Sequence, residues 1–263
     1  MTGAMMRNHS ITRGEKVDLL VECKSRSINA RMRLVCLPNA GGRTSAYGAW
    51  GSELGEDIEV LAIRLPCREL RKKKSFRGHW DALVSRVTDA IMALETKLPY
   101  FLFGHSFGGL VAFEIVRELR RRATHQPLAL LVAGRPAPSL GAVYPLNHLG
   151  DDDLLHELLH IDPEVQAPLS TPVVFREVLP SLRADLAVCD SYIYQDEPPL
   201  SIPIIGFAGR SDPVGTIERI YAWRNETVAP FVVHVFEGGH FFFRTAWPMF
   251  LATLHSELHR LAS

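Results

Sequence analysis

Residues 100–110 read Tyr100-Phe101-Leu102-Phe103-Gly104-His105-Ser106-Phe107-Gly108-Gly109-Leu110. A short apolar run ends at Gly104, and a serine then stands between that glycine and Gly108. From Leu110 to Leu119 apolar residues recur at helical spacing. A strand that gives way to a helix within so few residues must turn sharply, and the turn crowds its neighbours. Glycines flank the serine for that reason, and its hydroxyl is presented above the edge of the sheet. The start of the following helix favours negative charge developing beside it.

Outward from this turn, further short apolar runs occur at Leu34–Leu37, Ile58–Ile63, Leu128–Ala133, Ile202–Ala208 and Phe231–Phe236. Each is nearly continuous rather than alternating, as expected of strands buried on both faces. Between them lie helical patterns, such as Trp80, Leu83, Val84, Val87, Ile91 and Leu94, and a last one from Trp247 to Leu261. The alternation predicts a mostly parallel sheet covered by helices on both faces. With Gly-x-Ser-x-Gly at a strand–helix turn, the expected fold is the α/β-hydrolase fold.

Residues 139–190 break the alternation. They contain no strand pattern, but Asp151-Asp152-Asp153 starts a leucine-rich helix and a second helical run begins near Phe175. Such an insertion would sit over the carboxyl ends of the strands, where α/β folds place their sites, and is read as a lid. Residues 1–30 carry no sustained period and are expected to form a mobile or partly docked extension. Residues 31–263 form the expected hydrolase domain, with no internal repeat.

The chain has 263 residues, 47% of them hydrophobic, enough for one large core. Lys+Arg 29 balances Asp+Glu 29, so no global charge argues for nucleic acid or an anionic membrane. Cys23, Cys36, Cys67 and Cys189 are widely spaced, which argues against a zinc site or a disulfide framework and for reduced cytoplasmic thiols. Signal-peptide and membrane-spanning patterns are absent from the sequence, and a soluble monomer is expected.

A serine nucleophile needs a base, and this fold orders them Ser, then Asp or Glu, then His. His240 follows the Phe231–Phe236 run in Glu237-Gly238-Gly239-His240 and precedes Phe241-Phe242-Phe243. Of the 11 histidines it alone lies on a glycine-rich loop after a late strand. His105, His156, His160, His255 and His259 fall on the turn or on helices, with packing or surface roles expected. Asp212, just after the Ile202–Ala208 run, can accept the imidazole N–H and fix its tautomer. The rivals Asp185, Asp190 and Asp196 precede that run. The oxyanion hole should use the backbone N–H of Phe107 and one from Pro38-Asn39-Ala40-Gly41-Gly42, with Ala40 the favoured donor. Acyl transfer of this kind needs neither metal nor organic cofactor.

Five ordered motifs make the reading more specific: Pro38-Asn39-Ala40-Gly41-Gly42, Arg64-Leu65-Pro66-Cys67-Arg68-Glu69, Gly104-His105-Ser106-Phe107-Gly108-Gly109, Leu182-Arg183-Ala184-Asp185 and Gly238-Gly239-His240-Phe241. Together they resemble the free-standing type II thioesterases of polyketide and nonribosomal peptide synthesis, over roughly residues 33 to 255. The resemblance implies hydrolysis of stalled acyl groups from the phosphopantetheine arm of acyl or peptidyl carrier proteins. It also implies Ser106, Asp212 and His240 as triad and Ala40 and Phe107 as oxyanion hole. Two positions depart from the family pattern: Cys67 where Gly is usual, and Phe107 where Met is frequent. The first bears on the conformation of its loop and the second on the shape of the acyl pocket.

Arg64, Arg68, Arg71, Lys72, Lys73, Lys74 and Arg77 form the largest basic cluster, and Arg117, Arg120, Arg121 and Arg122 a second. They are either docking charges for an acidic carrier or solvated faces. Two other functions fit the same residues: a small-molecule carboxylesterase or lipase-like hydrolase, and a non-catalytic hydrolase-fold binding module.

Overall fold

In a computed structural model of the chain, the structure describes residues 20–25, 27–66, 79–94, 98–141, 144–163 and 171–263. Among these residues seven strands form one sheet. They are β1 (Val21–Cys23), β2 (Met32–Leu37), β3 (Ile58–Ile63), β4 (Tyr100–His105), β5 (Leu130–Ala133), β6 (Ile204–Gly209) and β7 (Phe231–Phe236). Their spatial order is β1-β3-β2-β4-β5-β6-β7, parallel throughout except where β1 meets β3. The helices are α1 (Trp50–Leu54), α2 (His79–Met92), α3 (Phe107–Arg121), α4 (Asp151–Ile161), α5 (Pro172–Asp190), α6 (Ile217–Tyr221), α7 (Phe242–Thr245) and α8 (Trp247–Ala262).

Every apolar run read as a strand is one, and the reason for its continuity is visible in the two cores. Val35, Leu37, Leu61, Ile63, Leu102 and Val132 face the side covered by α2 and α3. The intervening Leu34, Cys36, Val60, Ala62, Phe101, Phe103 and Leu131 face the side covered by α1 and α8. Successive side chains point to opposite faces, so a sheet covered on both must be apolar at every position. β4 runs past Phe103 because Gly104 pairs with Leu37 and Val132, and His105 with Ala133.

The segment before residue 30 contributes more than the sequence pattern indicates. Val21 pairs with Ile63 and Cys23 with Leu61, adding an antiparallel edge strand. Three residues are too few to carry a period, and their pairing is decided by the open edge of β3.

Between β5 and β6 the described residues contain helices and no strand. Three aspartates in the first turn of α4 complement its dipole, and Pro172 opens α5 without losing a hydrogen bond. Leu146, Leu154, Ile161, Leu182 and Leu186 form a separate small core there, against which Ala40 and Val214 pack. The insertion therefore rests on loops leaving β2 and β6, above the carboxyl ends of the strands.

The second basic cluster is not a free field of charge. Arg117 pairs with Glu114 and Glu197, Arg120 with Glu197, Arg121 with Glu118 and Glu197, and Arg122 with Asp89 and Glu118. Their acidic partners come partly from the chain beyond Asp190, a pairing that sequence spacing does not reveal. Arg68, Arg71, Lys72, Lys73, Lys74 and Arg77, with Cys67, lie outside the described residues.

Candidate active site

The turn from β4 into α3 leaves no room for side chains beside Ser106. A β-carbon on Gly104 would lie 2.3 Å from the Gly108 carbonyl oxygen, and one on Gly108 would lie 2.2 Å from the Leu37 carbonyl oxygen. Ser106 itself adopts φ 52° and ψ −117°, a region that L residues rarely occupy. Such a conformation costs about 1–3 kcal/mol and persists because its surroundings over-determine it. Here the Ser106 N–H donates to the Ala133 carbonyl at 2.8 Å, and the Gly109 N–H donates to the Ser106 carbonyl at 3.0 Å.

Asp212 and His240 leave the ends of β6 and β7, which are parallel neighbours, so the two loops run side by side. The Arg210 N–H bonds to the Phe236 carbonyl at 2.8 Å and the Ser211 N–H to the Gly238 carbonyl at 2.9 Å. His240 Nδ1 lies 2.9 Å from Asp212 Oδ2 and 3.1 Å from Oδ1. A carboxylate only accepts, so Nδ1 carries the proton and the Nε2 lone pair of a neutral ring is left free. Asp212 is held in turn by the Val214 and Gly215 N–H groups, which donate to Oδ1 at 2.8 and 3.0 Å. Both residues are buried, Asp212 at 3% and His240 at 5% exposure, so water does not compete for the contact.

Ser106, His240, Ala40 and Phe107 line one cleft, whose empty space including its mouth is about 840 Å³. Among the described residues neither the Ala40 nor the Phe107 N–H has an acceptor, and Phe107 opens α3, where the N–H groups have no intrahelical partner. Leu146, Leu158, Ile161, Leu182 and Leu186 of the insertion supply apolar wall. The Phe107 ring lies under the cleft, edge-on to Trp80 at 6.0 Å between centroids.

All five residues chosen from sequence thus converge at the carboxyl ends of the strands. Of the rival acids, Asp185 and Asp190 lie on α5. Asp185 accepts from the Gly41 N–H at 2.7 Å, and Asp190 accepts from the Leu146 and Asn147 N–H groups at 3.0 and 2.7 Å. His156, His160, His255 and His259 are on helices as expected.

Two contributors were not legible from spacing. His105 Nε2 lies 3.0 Å from the His240 carbonyl oxygen and must donate to it. Burial, with the nearby His240 second, pushes the His105 pKa well below the usual histidine value, so it stays a neutral donor. Gly134 (φ 59°) passes so close that a β-carbon would sit 3.2 Å from both Asp212 Oδ2 and His240 Cε1. A glycine directly after a strand was the available signal for it.

A parallel sheet with a strained serine turn after β4, and an acid–histidine pair on the loops after β6 and β7, has the architecture of the α/β-hydrolase fold. Residues 32–258 match the thioesterase domain family. The chain is 35% identical to the gramicidin S biosynthesis protein GrsT of Aneurinibacillus migulanus over 214 residues, 81% of this chain and 83% of that protein. Among solved structures it is similar to the RedJ thioesterase of the prodiginine pathway in Streptomyces coelicolor, at TM-score 0.79 and 35% identity, covering 87% and 86% of the two chains. It is also similar to the type II thioesterase BorB from the borrelidin biosynthetic cluster, at TM-score 0.80 and 30% identity, covering 93% and 100%. The chain belongs to the thioesterase family, and its relatives include type II thioesterases, among them one from the nonribosomal peptide and polyketide pathway to yersiniabactin. No described helix is long and apolar enough to cross a membrane.

Proposed function

We propose that the chain hydrolyses acyl thioesters carried on the phosphopantetheine arm of acyl or peptidyl carrier proteins, clearing stalled synthase intermediates in the cytoplasm, with Ser106 as nucleophile. The observation that carries this is the buried Asp212–His240 contact, with His240 lining the same cleft as Ser106 and two unspent N–H groups. His240 Nε2 takes the Ser106 proton as the oxygen attacks the thioester carbonyl. The resulting oxyanion is held by the Ala40 and Phe107 N–H groups. Collapse breaks the carbon–sulfur bond, and the thiol leaves with the proton returned by His240. Water, deprotonated by His240, then attacks the acyl-enzyme, releasing the acid and restoring Ser106.

The apolar wall supplied by the insertion suits an acyl chain, and in this proposal residues 139–190 act as its lid. The test pairs wild type with Ser106→Ala, on an acyl-carrier thioester and on an oxyester of the same acyl group. Ser106→Ala should lose hydrolysis by several orders of magnitude while keeping its fold. A folded variant with more than a few per cent of the activity refutes the nucleophile, and a preference for the oxyester refutes the substrate class.

A further inference from the structure

The Leu182-Arg183-Ala184-Asp185 motif is not used by the chemistry above, yet each of its polar and large residues has a partner. Arg183 donates to the Asn147 carbonyl at 3.2 Å and to Asp151 Oδ1 at 2.6 Å, tying α5 to the start of α4. Leu182 lies directly against Gly41, whose φ is 72° and whose added β-carbon would meet the Leu182 side chain at 3.3 Å. Asp185, 6% exposed, receives the Gly41 N–H at 2.7 Å. At the other end of the same peptide, the Ala40 carbonyl receives the Asn39 side-chain amide at 3.0 Å. The Ala40–Gly41 peptide plane is therefore held from both sides, and one of its holders belongs to the insertion. The insertion is also tied to the histidine loop, where Arg244 donates to Asp162 Oδ2 at 2.6 Å.

From these contacts we infer that Asp185 is a positioning residue for the oxyanion hole. Its carboxylate orients the loop that presents the Ala40 N–H, so the hole is fully formed only while α5 is seated. This rests on the proposed role of Ala40. A charge-assisted bond to a half-buried backbone N–H such as that of Gly41 is short and directional, and a donor displaced by a fraction of an ångström loses transition-state stabilisation more than substrate binding.

Removing an oxyanion donor outright costs about 10²–10³-fold in kcat. Loosening its loop should cost less, so Asp185→Ala should lower kcat by roughly 10- to 100-fold with KM little changed. Asp185→Asn, whose amide oxygen can still accept the Gly41 N–H, should recover most of that loss. Gly41 amide exchange, followed by NMR, should accelerate in Asp185→Ala and not in Asp185→Asn. Unchanged kcat in a folded Asp185→Ala variant overturns the inference, as does lost activity with the Gly41 amide still protected. If Asp185→Ala is too unstable to assay, the Asn variant decides: faster Gly41 exchange without a fall in kcat overturns it. Failure of the proposed function is distinguishable, because it would appear as activity retained in Ser106→Ala.

A second observation, at the opposite end of the sheet, is independent of the first. His255 and His259 lie one turn apart on α8 with ring centroids 4.2 Å apart, and Asp57 precedes β3. One ligand atom from each of the three residues lies within 4.8 Å of the others. His259 Nε2 is 3.1 Å from Asp57 Oδ2, yet has no aligned hydrogen-bond partner among the described residues. Two ligand atoms at about 2.0–2.1 Å from a tetrahedral zinc ion stand about 3.3 Å apart, which the 3.1 Å His259–Asp57 separation matches, and the His255 ligand atom lies within 4.8 Å of both. The geometry points to a surface site for a borderline divalent cation, zinc or cobalt, joining the C-terminal helix to the turn before β3. Zinc or cobalt alone, titrated into the purified enzyme, should bind saturably at one ion per chain and raise Tm. His255→Ala and Asp57→Asn should abolish both effects and leave thioester hydrolysis unchanged. Absence of saturable binding, or binding indifferent to these substitutions, overturns the site.

Discussion

In Asp212→Asn the two amide orientations are not equivalent, and the surrounding backbone chooses between them. Oδ1 of Asp212 receives two N–H donors, from Val214 and Gly215. If the amide nitrogen took that position, the buried Gly215 N–H and the half-buried Val214 N–H would face a donor, at about 1–3 kcal/mol for the buried group left unsatisfied. The amide oxygen therefore replaces Oδ1, and the NH2 group replaces Oδ2, 2.9 Å from His240 Nδ1. The amide oxygen, 3.1 Å from Nδ1, already accepts two N–H groups, and a protonated Nδ1 would face the NH2 donor at the shorter contact. Nδ1 is therefore favoured as acceptor, the ring proton moves to Nε2, and the nitrogen proposed as base becomes a donor. A wrong tautomer in an otherwise intact triad of this type lowers kcat about 10⁴-fold. That is roughly 5.4 kcal/mol of transition-state stabilisation at ~1.36 kcal/mol per decade. Single-turnover hydrolysis of an acyl thioester at neutral pH, with KM measured in parallel, reads it directly. If Asp212 served only to cap the Val214 and Gly215 N–H groups, Asn would do so equally well and remain near wild type. Activity above about a tenth of wild type in a folded Asp212→Asn, or a more damaging Asp185→Asn, would therefore refute the reasoning.

Three further outcomes are expected. His105 stays neutral when folded because burial depresses its pKa, while the unfolded chain takes up that proton as pH falls through about 6.5. The unfolded state then binds more protons, so stability should drop from pH 7 toward pH 5; His105→Asn should show a shallower drop in denaturation midpoint, and equal slopes would remove the assignment. Hydrogen exchange should be faster in residues 144–163 and 171–190, which have their own small core, than in β4 and β6; equal protection would count against a moving lid. Reversing Lys72, Lys73 and Lys74 to Glu should lower kcat/KM for a carrier-bound thioester, more at low salt than at high, and leave a small thioester unaffected; no salt-dependent difference would return that cluster to a solvated face.

Much of the candidate site is legible in the sequence because its signals are local or ordered. The Ser106 turn is encoded within five residues, since the glycines it needs are adjacent in sequence. Asp212 and His240 follow from chain order, which the parallel topology enforces: each successive strand delivers its carboxyl end to the same side. What resisted reading was pairing across the chain. Arg117, Arg120, Arg121 and Arg122 look like an exposed basic patch in one dimension, and only folding brings Glu197 among them.

The sequence by itself determined the six strands β2 to β7, the longer helices, the serine turn and the chain order of Ser106, Asp212 and His240, because hydrophobic period and glycine placement act over a few residues. Only the tertiary structure decided that Asp185 serves the Gly41 amide instead of His240, from 144 positions away. It alone turned the His105 ring toward the His240 carbonyl, let Gly134 pass beside the acid–histidine pair, and enlisted Val21–Cys23 as an edge strand. These outcomes depend on which buried groups find partners once the sheet has closed, and hydrogen bonding between distant segments leaves no period in the chain.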